Sequence, residues 1–139
     1  MDENQVTAVT ELEGATYLTK IYAGGHFIYA DEPENIGGTD LGMNPAALLL
    51  ASLGSCTAIT LRMYADRKGI SLEKIRIHLS ICKEENMSSS TRIERKIEFG
   101  GRLSEEEKVR LIQIADRCPI HKMLSNPIQI DTSLSAHLN

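Results

Sequence analysis

Three cysteines carry the most reactive side chains of this 139-residue sequence: Cys56, Cys82 and Cys118. Cys56 lies in SLGSCTA, ringed by small and hydroxyl residues, and Cys118 stands 62 residues later, directly before Pro119 in CPIHKML. A thiol attacks only as its thiolate, so the first question is what would stabilise negative charge at each sulfur. If Pro119 opens a helix, Cys118 takes the N-cap, where free N–H groups and the positive helix end favour the thiolate. The alternative is a small buried residue with a weak capping role, and the local sequence leaves both open. Cys82 alternates with Arg76 and His78 and reads as an ordinary strand residue. Cys56 on its own reads as packing, since free cysteine is among the most buried residue types. No metal is expected: CPIH has no second CxxC, CxxH or HxxxH pair to complete four ligands, and haem attachment would need CxxCH. No other cofactor is indicated.

The elements that position these cysteines belong to one expected domain, residues 1–139, large enough to bury roughly two-thirds of its unfolded-chain surface. A net charge of −4 and a pI near 5.6, with basic residues scattered among acidic ones, exclude nucleic acid and anionic membrane as principal partners. Small molecules and protein partners remain. The first residues lack a basic run followed by an apolar core, and the longest apolar stretch is interrupted by Ser52, Ser55, Thr57, Thr60 and Arg62. Neither a secretory signal nor a membrane span is expected, which makes the cytoplasm the expected location. In that reducing compartment a disulfide is transient and catalytic rather than structural.

Alternation of apolar and polar residues at Val6–Thr10, Tyr17–Ile21 and His26–Ala30, with a Gly24-Gly25 turn, predicts a three-stranded antiparallel meander. DEPENIGGTDLGMNP is a long loop, of a length that is either functional or mobile. Asn44 caps a helix that opens with Pro45 and runs about six turns to Gly69. At ~100° per residue, Leu49, Ser52, Cys56, Ile59 and Met63 share one face, yet the helix is apolar nearly all round and is expected at the centre of the protein. Two strands follow, Ile75–Cys82 and Ile93–Phe99, joined by ENMSSS. A helix then starts at Ser104 with Glu107 in the capping-box position and Val109, Leu111, Ile112 and Ala115 as its buried stripe. CPIHKML forms a short helix, and Ile128, Ile130, Thr132 and Leu134 predict a last strand. The order is α+β without parallel βαβ units.

PAALLLASLGSCTAITLRMYADRKG followed by ADRCPIHKML resembles the OsmC/Ohr family, whose pattern is a proline-led helix with a cysteine about eleven residues in and a second cysteine before proline some sixty residues on. Here the separations are 11 and 62. The lead-in of Gly37-Gly38, Asp40, Gly42 and Asn44-Pro45 matches as well, and the resemblance covers most of residues 17–135. It is closest to the OsmC-like branch with C-T-A-x-T-L-R-M-Y-A and C-P-[VI]-H. The resemblance implies an OsmC-like fold in which antiparallel sheets wrap long central helices in an intertwined homodimer. It also implies thiol-dependent reduction of organic hydroperoxides in oxidative-stress defence: Cys56 peroxidatic, Cys118 resolving, and an external dithiol as reductant. Around Cys56, the residues Leu49, Ser52, Ile59 and Met63 are the expected substrate contacts for an organic hydroperoxide or other small apolar molecule.

One departure sets a second reading beside the first. Peroxidases of the family supply an arginine from the N-terminal region and an acid just after the helix-starting proline, whereas this sequence has no arginine before Arg62 and has Ala46 after Pro45. Arg62 lies on a face ~120° from Cys56, and Arg92, Arg95 and Arg117 read as surface charges unless folding brings one of them in. The alternative function is therefore a small-molecule-binding or stress-associated protein of the same fold with little or no peroxidase turnover.

Overall fold

The computed structural model describes residues 5–83 and 91–138. The chain divides into two compact units, one ending at Ser52 and one beginning at Leu53. In the first unit, β1 (Val9–Leu12), β2 (Thr19–Ala23) and β3 (His26–Ala30) form an antiparallel sheet in the order β1-β2-β3. Gly24 and Gly25 close the β2–β3 hairpin with φ of 57° and 79°, the left-handed pair that a two-residue hairpin turn demands.

The glycine-rich loop after β3 is held by one carboxylate. Asp31, 2% exposed, accepts hydrogen bonds from the backbone N–H groups of Glu32, Thr39 and Leu41 and from the Thr39 hydroxyl. The Thr39 hydroxyl, helped by the three N–H groups, holds Asp31 below the ordinary carboxylate pKa against the effect of burial. Backbone packs on backbone here: a β-carbon on Gly38 would lie 1.8 Å from the Glu32 carbonyl oxygen, and one on Gly42 would lie 2.2 Å from that of Tyr29. The loop is thus built to deliver the chain to Asn44, whose side-chain oxygen accepts from the Ala47 N–H at 2.8 Å and caps the next helix as expected.

That helix, α1 (Pro45–Lys68), ends at Gly69 in the left-handed conformation, with the Ile70 N–H reaching back to the Ala65 carbonyl. By length and composition α1 would suffice to cross a membrane. Its buried residues, however, are Leu53, Gly54, Thr57, Leu61, Tyr64 and Ala65, a single stripe at helical spacing, and the last three belong to the protein's own core. In the second unit β4 (Leu72–Lys83) and β5 (Thr91–Gly101) pair antiparallel, with Leu79 opposite Arg95 and Ile77 opposite Ile97. The turn expected at ENMSSS lies outside the described residues. Helix α2 (Glu105–Ala115) starts with the expected capping box, Ser104 and Glu107 each bonding the other's N–H. Leu61, Tyr64, Ala65, Leu72, Leu111, Ile114 and Ala115 form the core, with Ile75, Ile97 and Phe99 of the hairpin packed against it.

Two expectations need correction. The buried stripe of α2 is Leu111, Ile114 and Ala115; Val109 and Ile112 are 59% and 48% exposed, because α1 covers only one side of the helix. The last strand does not form: residues 126–138 have no regular structure, and Ile130 and Leu134 are 81% and 92% exposed. Alternation alone cannot make a strand without an edge to pair with.

Candidate active site

Helix α3 (Pro119–Leu124) begins where sequence placed it, with Pro119 in the first turn and Cys118 at the N-cap. This start brings the two expected cysteines together. The Cys56 and Cys118 thiols lie close enough for each to shift the other's pKa, and all three cysteines are free. Their environments differ: Cys118 is fully buried, Cys56 is half-buried. Burial raises both thiol pKa values, but the outcomes diverge. Cys56 stays above the ordinary thiol value, raised by desolvation and by Cys118 beyond what the Ile120 N–H and the Thr60 hydroxyl recover. Cys118 falls below it despite desolvation, because Cys56, the N–H groups of His121 and Ile120 and the Thr57 hydroxyl together favour its thiolate. Of the two thiols, Cys118 is therefore the one that loses its proton first.

Around this pair the hairpin supplies a cation that the sequence left undecided. Of Arg92, Arg95 and Arg117, only Arg95 enters the interior, with a side chain 12% exposed. Arg92 pairs with Glu94 on the surface, and Arg117 is exposed. Arg95 donates from Nη1 to Thr57 Oγ1 at 2.9 Å, and from Nη2 to Asp116 Oδ1 at 3.0 Å and to His121 Nδ1 at 3.1 Å. A guanidinium can only donate, so His121 accepts at Nδ1 and carries its own proton on Nε2. Arg62, as expected, lies elsewhere, donating to the Leu72 carbonyl at 2.6 Å.

Thr57 is a buried contact of this candidate site that sequence reasoning missed. It is fully buried and donates to the Leu53 carbonyl at 2.7 Å while accepting from Arg95. Its partner lies 38 residues away, and only the side of α1 that is covered reveals it. The expected substrate contacts are less gathered. Leu49, Ile59 and Met63 are 42%, 55% and 63% exposed, and Ser52 is exposed too, because the chain's own elements cover the Leu53–Thr57–Leu61 stripe and leave this face open. Met63 does share a hollow with Thr60, Arg117 and Pro119, the last two flanking Cys118 in sequence. Among the described residues no cluster of three or more His, Cys, Asp or Glu could hold a metal ion.

The model of the OsmC-like protein family matches residues 38–133, which take in the second part of the loop, both cysteines and the helices that carry them. This chain belongs to the OsmC-like family. Its fold is similar to that of an OsmC-like protein from Mycoplasma pneumoniae, at a TM-score of 0.75 and 24% identity over 90% of this chain and 89% of the other. It is similar also to an organic hydroperoxide resistance protein OsmC from Legionella pneumophila, at 0.63 and 19% over 89% and 91%. A third is an organic hydroperoxide resistance protein from Elizabethkingia anophelis, at 0.64 and 20% over 88% and 90%. At these identities the likeness establishes the fold, an α+β architecture of antiparallel sheets and three helices. No curated protein sequence matches the chain significantly.

Proposed function

We propose that this protein reduces organic hydroperoxides through a two-cysteine cycle, with Cys56 peroxidatic and Cys118 resolving. The observation that carries the reading is the proximity of two free thiols from distant segments, one half-buried and reachable, the other fully buried. The two Ohr-type relatives described as organic hydroperoxide resistance proteins support the substrate class.

One proton passed within the pair organises the steps. Cys56 passes its proton to the Cys118 sulfur and, as thiolate, attacks the terminal peroxide oxygen. The O–O bond breaks, the alkoxide takes the proton back from Cys118 and leaves as alcohol, and Cys56 becomes a sulfenic acid. Cys118, again a thiolate, attacks the Cys56 sulfur; the S–O bond breaks, hydroxide leaves and is protonated by solvent, and a disulfide remains. An external dithiol reduces that disulfide to two thiols and is itself oxidised. In net terms, hydroperoxide and dithiol become alcohol, water and oxidised dithiol.

In this reading the protein works as a homodimer in cytoplasmic oxidative-stress defence, with the open face of α1 covered by a second copy. A second reading, a binding or stress-associated protein with little turnover, is favoured by the upward shift of the Cys56 thiol. Stopped-flow oxidation of Cys56 by cumene hydroperoxide and by hydrogen peroxide separates the two: fast reaction with the organic substrate supports reduction, and equally slow reaction with both supports binding alone.

A further inference from the structure

Loss of one proton from the thiol pair puts a negative charge in a site where Cys118 has no solvent contact, and a buried charge without a compensating partner is costly. No arginine precedes Arg62 to supply that partner. The side chain of Arg95 is nearly buried and lines a hollow with Leu53, His121 and Leu124, and no hydrogen bond joins it to either sulfur. Its three partners sit on three separate elements: Thr57 on α1, Asp116 at the C-cap of α2, and His121 one turn into α3. Through His121 it grips the segment that begins with Cys118, and through Thr57 it grips the helix that carries Cys56.

We propose that Arg95 is the positioning cation of the thiol pair, acting through the Thr57 hydroxyl on Cys118 and clamping α3 against α1, in place of the arginine that the N-terminal region lacks. The inference rests on the two-cysteine reading above. A threonine hydroxyl has one proton and two lone pairs. With the Arg95 guanidinium on a lone pair, Thr57 becomes a stronger donor. Its proton goes to the Leu53 carbonyl at 2.7 Å, and the same hydroxyl is among the groups that hold the Cys118 pKa down. Asp116 is 69% exposed at its side chain, so water screens it, whereas Thr57 is fully buried. The charged groups that bear on the pair are thus Arg95 from β5, Asp116 and Arg117 from the end of α2, and His121 from α3. Three fixed acceptors also explain why lysine would not serve: its ammonium is a point charge without the planar fork.

Titration of thiolate absorbance near 240 nm tests this without any peroxide. In Arg95→Met the thiolate fraction at neutral pH should fall by about tenfold, one pKa unit, with Arg95→Lys restoring only part of it. Thr57→Val should reproduce the loss with Arg95 intact, and Thr57→Ser should restore it. Asp116→Asn keeps an acceptor but removes the opposing charge, so the thiol should titrate lower than in the unaltered protein. A purely structural clamp predicts no such gain, and that variant stays informative if Arg95→Met fails to fold. Unchanged titration in Arg95→Met, or a rise in Asp116→Asn, overturns the proposal. Either result would leave hydroperoxide reduction standing, while a protein that titrates as described but does not react with hydroperoxide would overturn the reductase reading instead.

Discussion

The half-buried thiol of Cys56 and the fully buried thiol of Cys118 are neighbours that shift each other's pKa, with no disulfide between them. Proximity of this kind means that oxidation of one sulfur puts an electrophile within reach of the other after local motion alone. One equivalent of cumene hydroperoxide should therefore give a Cys56–Cys118 bond by mass spectrometry, with Cys82 still free. In Cys118→Ser the Cys56 sulfenic acid should persist and be trapped by dimedone. A persistent sulfenic acid in the unaltered protein would remove Cys118 from the cycle.

The divergent thiols also fix the sign of the pH dependence. Loss of the first proton from the pair, assigned to Cys118, lies below the ordinary thiol value, and loss of the second, assigned to Cys56, lies above it. The active form carries one proton, since the thiolate supplies the base and the remaining proton supplies the acid for the departing alkoxide. Below the first pKa the pair is neutral and the rate falls; above the second the alkoxide has no acid and the rate falls again. The rate of disulfide formation should trace a bell whose acid limb begins below the range of a free cysteine. A single limb centred on the ordinary thiol value would show two independent cysteines.

How much of this was legible in sequence follows from where each interaction partner sits. Elements stabilised by near neighbours were readable: the Asn44 cap, Pro45, the Gly69 stop, the Ser104–Glu107 box and the Cys118-Pro119 start all act within a few residues. The cysteine pairing came from the family resemblance and its spacing. What escaped depends on distant partners. Asp31 anchors a loop through Thr39 and Leu41, yet in sequence it was one acid among several. Arg95 was one of three equivalent candidates until the β4–β5 register carried it to Thr57. The tail from Ile128 to Leu134 alternates as a strand does, but alternation says nothing about whether an edge is available.

That tail, with Ile59 and Met63 on α1 and Ile112 on α2, leaves much apolar surface uncovered in one chain. Burial of such surface returns roughly 25 cal/mol per Å², and a second copy is the covering expected from the proposed dimer. Sedimentation at micromolar concentration should show a homodimer, and Ile59→Asp should shift it toward monomer with loss of thermal stability. A stable, fully folded monomer of the unaltered protein would refute the dimer.

Asp31 makes a separate prediction about acid stability. Its folded pKa is depressed, chiefly by the Thr39 hydroxyl. The sign is that of a group that binds protons more weakly when folded: its contribution is fully present above the unfolded carboxylate value near ~4 and is lost as pH falls through the folded value. Asp31→Asn should lower the melting temperature at neutral pH and flatten its decline in acid, as followed by circular dichroism. An equal decline in both proteins would show that the loop does not depend on this charge.

Substrate preference is the last expectation, and it turns on Met63. Of the residues assigned to the substrate wall, Met63 shares a hollow with Thr60 and Pro119, the latter adjoining Cys118. The Thr60 hydroxyl also pulls the Cys56 pKa down. An aryl or alkyl tail seated there hides apolar area that hydrogen peroxide does not have. About 60 Å² buried at ~25 cal/mol per Å² amounts to about 1.5 kcal/mol, or roughly tenfold in rate at limiting substrate. Met63→Gln should therefore slow cumene hydroperoxide about tenfold and leave hydrogen peroxide unchanged, because the reacting sulfur and its proton are untouched. Ile59→Gln should do less, since Ile59 lies outside the residues of that hollow. If both peroxides slow equally in Met63→Gln, the side chain supports the fold of the site rather than the tail of the substrate, and the organic preference must be sought on another face.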